Sequence, residues 1–166
     1  MARTFEWMIP LAIGLLIYAV AVRLLIERGW ALGLFLLAVF LVMHGLIHVG
    51  FANPAAAPAD GIDYPFDLGR SWLVGAGVDA SLVRAVGVGL VVVVAIGFAV
   101  AGLATLGWLV PTTWWPTLVA VASIASLALL VVGLSPMLVL GFAVDAALLW
   151  LVLGMAWSPG TSALPA

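Results

Sequence analysis

The sequence predicts an all-α transmembrane helical bundle in a single domain, and three observations carry that reading. Of its 166 residues, 67% are hydrophobic and only 7% charged. A soluble domain carries about 25% charged residues, so this chain has too few to cover a water-facing shell. The apolar residues gather into five runs, each near the roughly 20 residues a helix needs to cross the hydrocarbon core. All of the eight tryptophans except Trp150 lie close to the end of a run, where an indole ring is half buried and its N–H stays wet.

The first span is expected over residues 7–26, with Pro10 tolerated in its opening turn. Arg3 and Ala19-Val20-Ala21 imitate a secretory signal, but Glu6 interrupts the basic leader, and the segment reads as a retained helix. Arg23 and Glu27, one turn apart, can pair at the interface where the span ends. The second span is expected over 31–51, stopped by Asn53-Pro54. Residues 52–80 form the one long polar segment, an acidic extramembrane loop holding Asp60, Asp63, Asp67 and Asp79. A short interfacial helix is expected at Ser71–Gly77, anchored by Trp72. The remaining spans are expected over 81–108, 114–134 and 137–157, with Ser135-Pro136 turning the chain between the last two and a loose tail after residue 157.

Composition also excludes function classes. There is no lysine, five basic residues stand against seven acidic ones, and the net charge is −2. No basic stripe is available for nucleic acid. Cysteine is absent, which removes disulfides, thiolate metal sites and cysteine nucleophiles. Asp60, Asp63 and Asp67 are spaced by three and four, unlike the alternating ligands of an EF-hand. They read as a solvated acidic loop.

In lipid the informative residues are the polar ones at depth, because each costs free energy unless it is paired. His44 and His48 stand one turn apart on one face of the second span. That spacing suits two imidazoles on one metal ion or two steps of a proton relay. His44 lies roughly 10 Å from the loop-side end of its span, and Asp145 roughly 12 Å from that side on the fifth, at 1.5 Å per residue. Ser126, on the fourth span, sits at a similar depth, with Ser123 beside it. Helices from three parts of the chain thus place polar groups in one leaflet, and a shared pocket is the economical explanation. His44, His48 and Asp145 are the candidate metal-ion ligands, for a divalent cation as cofactor, with Ser123, Ser126 and Arg84 as supporting polar groups. Arg84 is a further expected partner for Asp145 or Asp79. The bland alternative is that the cluster only ties helices together. One helix cannot offer both axial ligands of a haem from such a spacing.

The run His44-Gly45-Leu46-Ile47-His48, followed by Val49-Gly50-Phe51, resembles a group of small, largely uncharacterised bacterial membrane proteins with an H-G-L-I-H motif. The resemblance covers about residues 40–157 and leaves the first span as an addition. It implies a four-helix unit with a Trp-opened helix, here Trp114-Trp115, and a final helix with a polar residue at mid-length, here Asp145. In that group the last position is more often Asn, and Pro136 stands where an acidic turn residue is usual. The resemblance groups His44, His48 and Asp145 and names no reaction.

The functional expectation is a multi-pass protein of the plasma (inner) membrane, contacting lipid and other membrane subunits as an accessory or interaction component. A metal-ion- or proton-handling protein is the second reading. A membrane enzyme on a lipophilic substrate is the third, and it lacks a second carboxylate at depth and an activated nucleophile.

Overall fold

A computed structural model describes residues 30–52 and 66–159, together with residues 13, 14, 16, 17, 19, 20 and 23. The first expected span, 7–26, lies largely outside the described residues. Those of its residues that are described are helical, and Ile17 packs against the main core. Asp60 and Asp63 also lie outside the described residues.

The described chain is helical throughout, with short connections. Helix α1 spans Trp30–Ile47 and tightens into a 3-10 turn at His48–Ala52. A short helix, α2, follows at Trp72–Gly75. Helix α3 spans Ala80–Thr105, α4 Trp115–Val132 and α5 Val139–Leu149. Proline opens the last two: Pro116 lies in the first turn of α4, and Pro136 starts a 3-10 turn leading into α5. A proline there gives up an N–H that has no helical partner anyway. Beyond Leu149, α5 widens into a π turn over Trp150–Gly154. With their flanking turns, α1, α3, α4 and α5 are each long and apolar enough to cross a membrane. They correspond to the second through fifth expected spans. The molecule is a multi-pass helical membrane protein.

Helix α2 forms within the segment 71–77 where a short helix is expected, and its sequence explains where it docks. The last carbonyls of a helix have no partner within it. At the end of α4, the Trp72 indole donates to the Val131 carbonyl at 2.8 Å and the Ser71 hydroxyl to the Val132 carbonyl at 2.5 Å. Ser71 also caps α2 by accepting from the Leu73 N–H. Asp79 caps α3 through the N–H groups of Ser81 and Leu82. The Ser81 hydroxyl and these amides hold its carboxyl below the usual carboxylate range.

Helix α3 packs along α1 on one side and α4 on the other, and α5 packs against α4. Lipid is as apolar as a leucine side chain, so these helices gain from close approach rather than from escaping water. Glycine permits the approach. A Cβ on Gly45 would stand 2.9 Å from the Phe98 Cβ, one on Gly102 2.9 Å from the Ala38 carbonyl oxygen, and one on Gly97 2.9 Å from the Ala122 Cβ. Two apolar clusters result. One gathers Leu37, Leu41, Phe98, Trp115 and Leu148. The other gathers Phe51, Leu68, Val91, Leu129 and Leu138. Buried polar residues interrupt this apolar packing: His44 and His48 at the end of α1, Ser123 and Ser126 on α4, and Asp145 on α5.

Two tryptophans depart from their expected place at the headgroups. Trp115 is fully buried and donates from its indole to the Thr105 hydroxyl at 2.9 Å, and Thr105 in turn donates to the Ala101 carbonyl. Trp157 is also buried, its ring edge-on to Trp115 at 5.2 Å. Position near a span end is compatible with either setting, and for Trp115 a neighbouring hydroxyl decided for the interior. Trp150, the mid-span exception, faces outward with 67% of its surface exposed.

Candidate functional site

The polar layer is built from three helices. His44 sits in the last turn of α1, and His48 begins the 3-10 turn beyond it. Ser126 comes from α4 and Asp145 from the middle of α5. All four are buried, Ser126 and Asp145 completely.

Where an α-helix tightens to 3-10 bonding, the carbonyls of its final turn are left short of backbone donors. His48 supplies one from its own ring, its Nδ1–H donating to the His44 carbonyl at 2.8 Å. A carbonyl can only accept, so Nδ1 carries the hydrogen and Nε2 is left to face the cluster. From there the contacts are continuous. His48 Nε2 lies 2.8 Å from Ser126 Oγ, and Ser126 Oγ lies 2.5 Å from Asp145 Oδ2. Asp145 Oδ1 accepts from His44 Nε2 at 3.0 Å.

Aromatic rings close the cluster on both sides. Phe40 stacks on the His44 ring at 5.7 Å, and Phe98 meets it edge-on at 4.8 Å. Towards the loop, Phe51 stacks on His48 at 6.4 Å, and Phe66 packs edge-on to Phe51 at 4.8 Å. The low dielectric this produces strengthens each hydrogen bond and raises the cost of any group left unpaired.

The sequence-derived candidates divide accordingly. His44, His48, Asp145 and Ser126 come together in direct contact. Ser123, one turn before Ser126, is buried, but its hydroxyl has no hydrogen-bond partner among the described residues. The expected pairing of Arg84 with Asp145 or Asp79 is not formed. Arg84 is exposed on the first turn of α3, whereas Asp145 is engaged by His44 and Ser126, and Asp79 by Ser81 and Leu82. An arginine that can reach water at the membrane face has no reason to follow a carboxylate to depth. The Phe51–Phe66 cover carried no sequence signal, because Phe66 reaches it from a loop.

As metal ligands, one donor atom each from His44, His48 and Asp145 lie within 4.8 Å of one another. A tetrahedral ion with bonds of about 2.0–2.2 Å would draw them closer still. Those side chains already bond to one another, to Ser126 or to the backbone, so an ion would enter by displacing protons from the cluster. An apolar groove between α3 and α4, lined by Val92, Ile96, Gly97, Thr117 and Val121, lacks converging polar groups and is a lipid-facing surface feature. Comparison with protein-family models, curated proteins and solved structures gives no match to this chain.

Proposed function

We propose that this chain is a proton-handling protein of the plasma (inner) membrane, with His44, Asp145, Ser126 and His48 as its relay. One observation supports the reading: an unbroken line of hydrogen-bonded, ionisable or hydroxyl groups crosses from α1 through α5 and α4 back to α1. Intramembrane ionisable groups are functional candidates by default, because their burial costs free energy that an apolar residue would not. The imidazoles, carboxyl and hydroxyl can each give up a proton on one side while receiving one on the other. Phe51 packs on the His48 end of the relay and Phe66 on Phe51, so a proton would enter there when these rings move.

The test is proton flux into vesicles. Purified protein is reconstituted around a pH-sensitive dye, and a potassium gradient with valinomycin drives protons inward. Wild type is expected to exceed empty vesicles, and Asp145→Leu to return the rate to theirs. Wild-type flux equal to empty vesicles would overturn the proposal.

A second reading, divalent-cation binding, is favoured by the 4.8 Å grouping of donor atoms. Metal content of the purified protein, compared with the His44→Ala, His48→Ala double variant, separates it from the first. Equal content in both would exclude it. The accessory-subunit reading is tested by gentle-detergent pull-down, where recovery of this chain alone would count against it.

A further inference from the structure

The geometry points to a cluster that holds one more proton than a carboxylate and two neutral imidazoles would carry, shared between Asp145 and His48 through Ser126. This inference rests on the proton-handling reading and identifies its carrier.

The hydrogens available to the cluster can be counted. Ser126 Oγ makes two contacts, with His48 Nε2 at 2.8 Å and Asp145 Oδ2 at 2.5 Å. A hydroxyl owns one hydrogen and can fill one of them. The other must be filled from its far end. His48 has committed its Nδ1–H to the His44 carbonyl, so a neutral His48 offers only a lone pair at Nε2. An ionised Asp145 likewise offers only lone pairs. With both in those forms, one contact would set two acceptors face to face inside a dry cluster, at the full cost of an unmade buried hydrogen bond. One additional hydrogen removes the conflict.

That hydrogen has two resting places. In the first, Asp145 is a carboxylic acid whose Oδ2–H donates to Ser126, while the Ser126 hydroxyl donates to His48 Nε2. In the second, His48 is an imidazolium whose Nε2–H donates to Ser126, while the Ser126 hydroxyl donates to an Asp145 carboxylate. The two forms have the same atoms, the same electrons and the same net charge. They interconvert when the Asp145 O–H bond breaks as a new Ser126 O–H forms, and the original Ser126 O–H breaks as a His48 N–H forms. No heavy atom needs to travel. Among the described residues, Ser126 is the one link between the two placements. The groups facing this exchange are His44 and His48 from α1 and its 3-10 extension, Ser126 from α4 and Asp145 from α5. Helix α3 presents the apolar ring of Phe98.

The experiment reads proton positions in the whole chain reconstituted in bilayers. Solid-state NMR with ¹⁵N-histidine and ¹³C-aspartate labels is tractable because the chain holds two histidines. Asp145→Asn and His44→Gln assign the signals. The expected result at neutral pH is a protonated Asp145 with neutral His48, an imidazolium His48 with ionised Asp145, or an average of the two. An ionised Asp145 beside a neutral His48 would overturn the inference. Ser126→Thr, which keeps a hydroxyl, is expected to preserve the wild-type signals, whereas Ser126→Ala is expected to shift both. Signals unmoved in Ser126→Ala would also overturn it. If vesicle flux is absent but the additional proton is found, the transport reading fails and the shared proton stands. Flux without that proton overturns the shared proton and leaves transport standing.

Discussion

Two serines one turn apart on α4 make opposite demands. Ser126 Oγ bridges His48 and Asp145, whereas Ser123 Oγ is buried without a partner among the described residues. Removing a bridging hydroxyl leaves buried groups unsatisfied, at about 1–3 kcal/mol, although hydrogen bonds within a bilayer average about 0.6 kcal/mol. Ser126→Ala is therefore expected to destabilise by about 1 kcal/mol or more, and Ser123→Ala to be neutral or stabilising. Titration with a denaturing detergent, followed by intrinsic tryptophan fluorescence, measures both; equal losses would contradict the assignment. Asp145→Asn should resemble wild type in the same assay, because an amide can donate to Ser126 and accept from His44 as the carboxylic acid does. Asp145→Leu, which can do neither, should lose about 1–3 kcal/mol. The grouping of His44, Ser126 and Asp145 was legible in the sequence through depth alone, since rise per residue converts position into height. Rotation about each helix axis is not encoded so simply. Depth therefore could not distinguish Ser126, which bridges, from Ser123, which does not, nor show that Arg84 is exposed rather than paired with Asp145 or Asp79.

Helices α1, α3 and α4 are held together by what three glycines omit. Gly45, Gly97 and Gly102 each bring a neighbouring helix within 3 Å of where a Cβ would stand, while Gly89, on the same α3, faces open space. Gly45→Leu is expected to force α1 away from Phe98 and cost about 1–3 kcal/mol as an overpacked contact. Gly89→Ala should gain up to about 1 kcal/mol from reduced backbone freedom. Detergent titration separates them by sign, and a loss of equal size at Gly89 would refute this account of the packing. Span lengths were well marked by apolar runs and by proline and glycine breaks. The widening of α5 into a π turn at Trp150–Gly154 was not, because Trp-Leu-Val-Leu-Gly is unremarkable as α-helix. Trp115 was misplaced for a related reason: a helix-end tryptophan is amphipathic in either setting, and only the fold brings Thr105 beneath its N–H.

Across the whole molecule, one set of connections lies at each end of the bundle. The α3–α4 turn presents Leu109, 96% exposed and with φ of +60°, while the α4–α5 turn presents Leu134, 60% exposed, just beyond the end of α4 that meets Ser71, Trp72 and Phe51. The chain contains no cysteine, so Leu109→Cys and Leu134→Cys each introduce a single thiol. A membrane-impermeant maleimide applied to sealed vesicles of one orientation is expected to label one of them and spare the other until the vesicles are opened. Labelling of both from outside would contradict the spanning arrangement of α4. The apolar exterior, including Trp150 and Leu153 at about two-thirds exposure, is what a bilayer covers, and the sequence marked it through its shortage of charge.

The hydrogen bond between His44 and Asp145 joins residues 101 positions apart. At about 5–20 residues per second, a ribosome needs on the order of 5–20 s to make the chain between them. Throughout that interval His44 and His48 exist without the Asp145 carboxyl that will complete their cluster. A nascent chain halted before α5 would therefore carry an open polar face, the kind of exposed defect that membrane chaperones and proteases act on. Arrival of α5 is the step that gives the imidazole of α1 its buried partner.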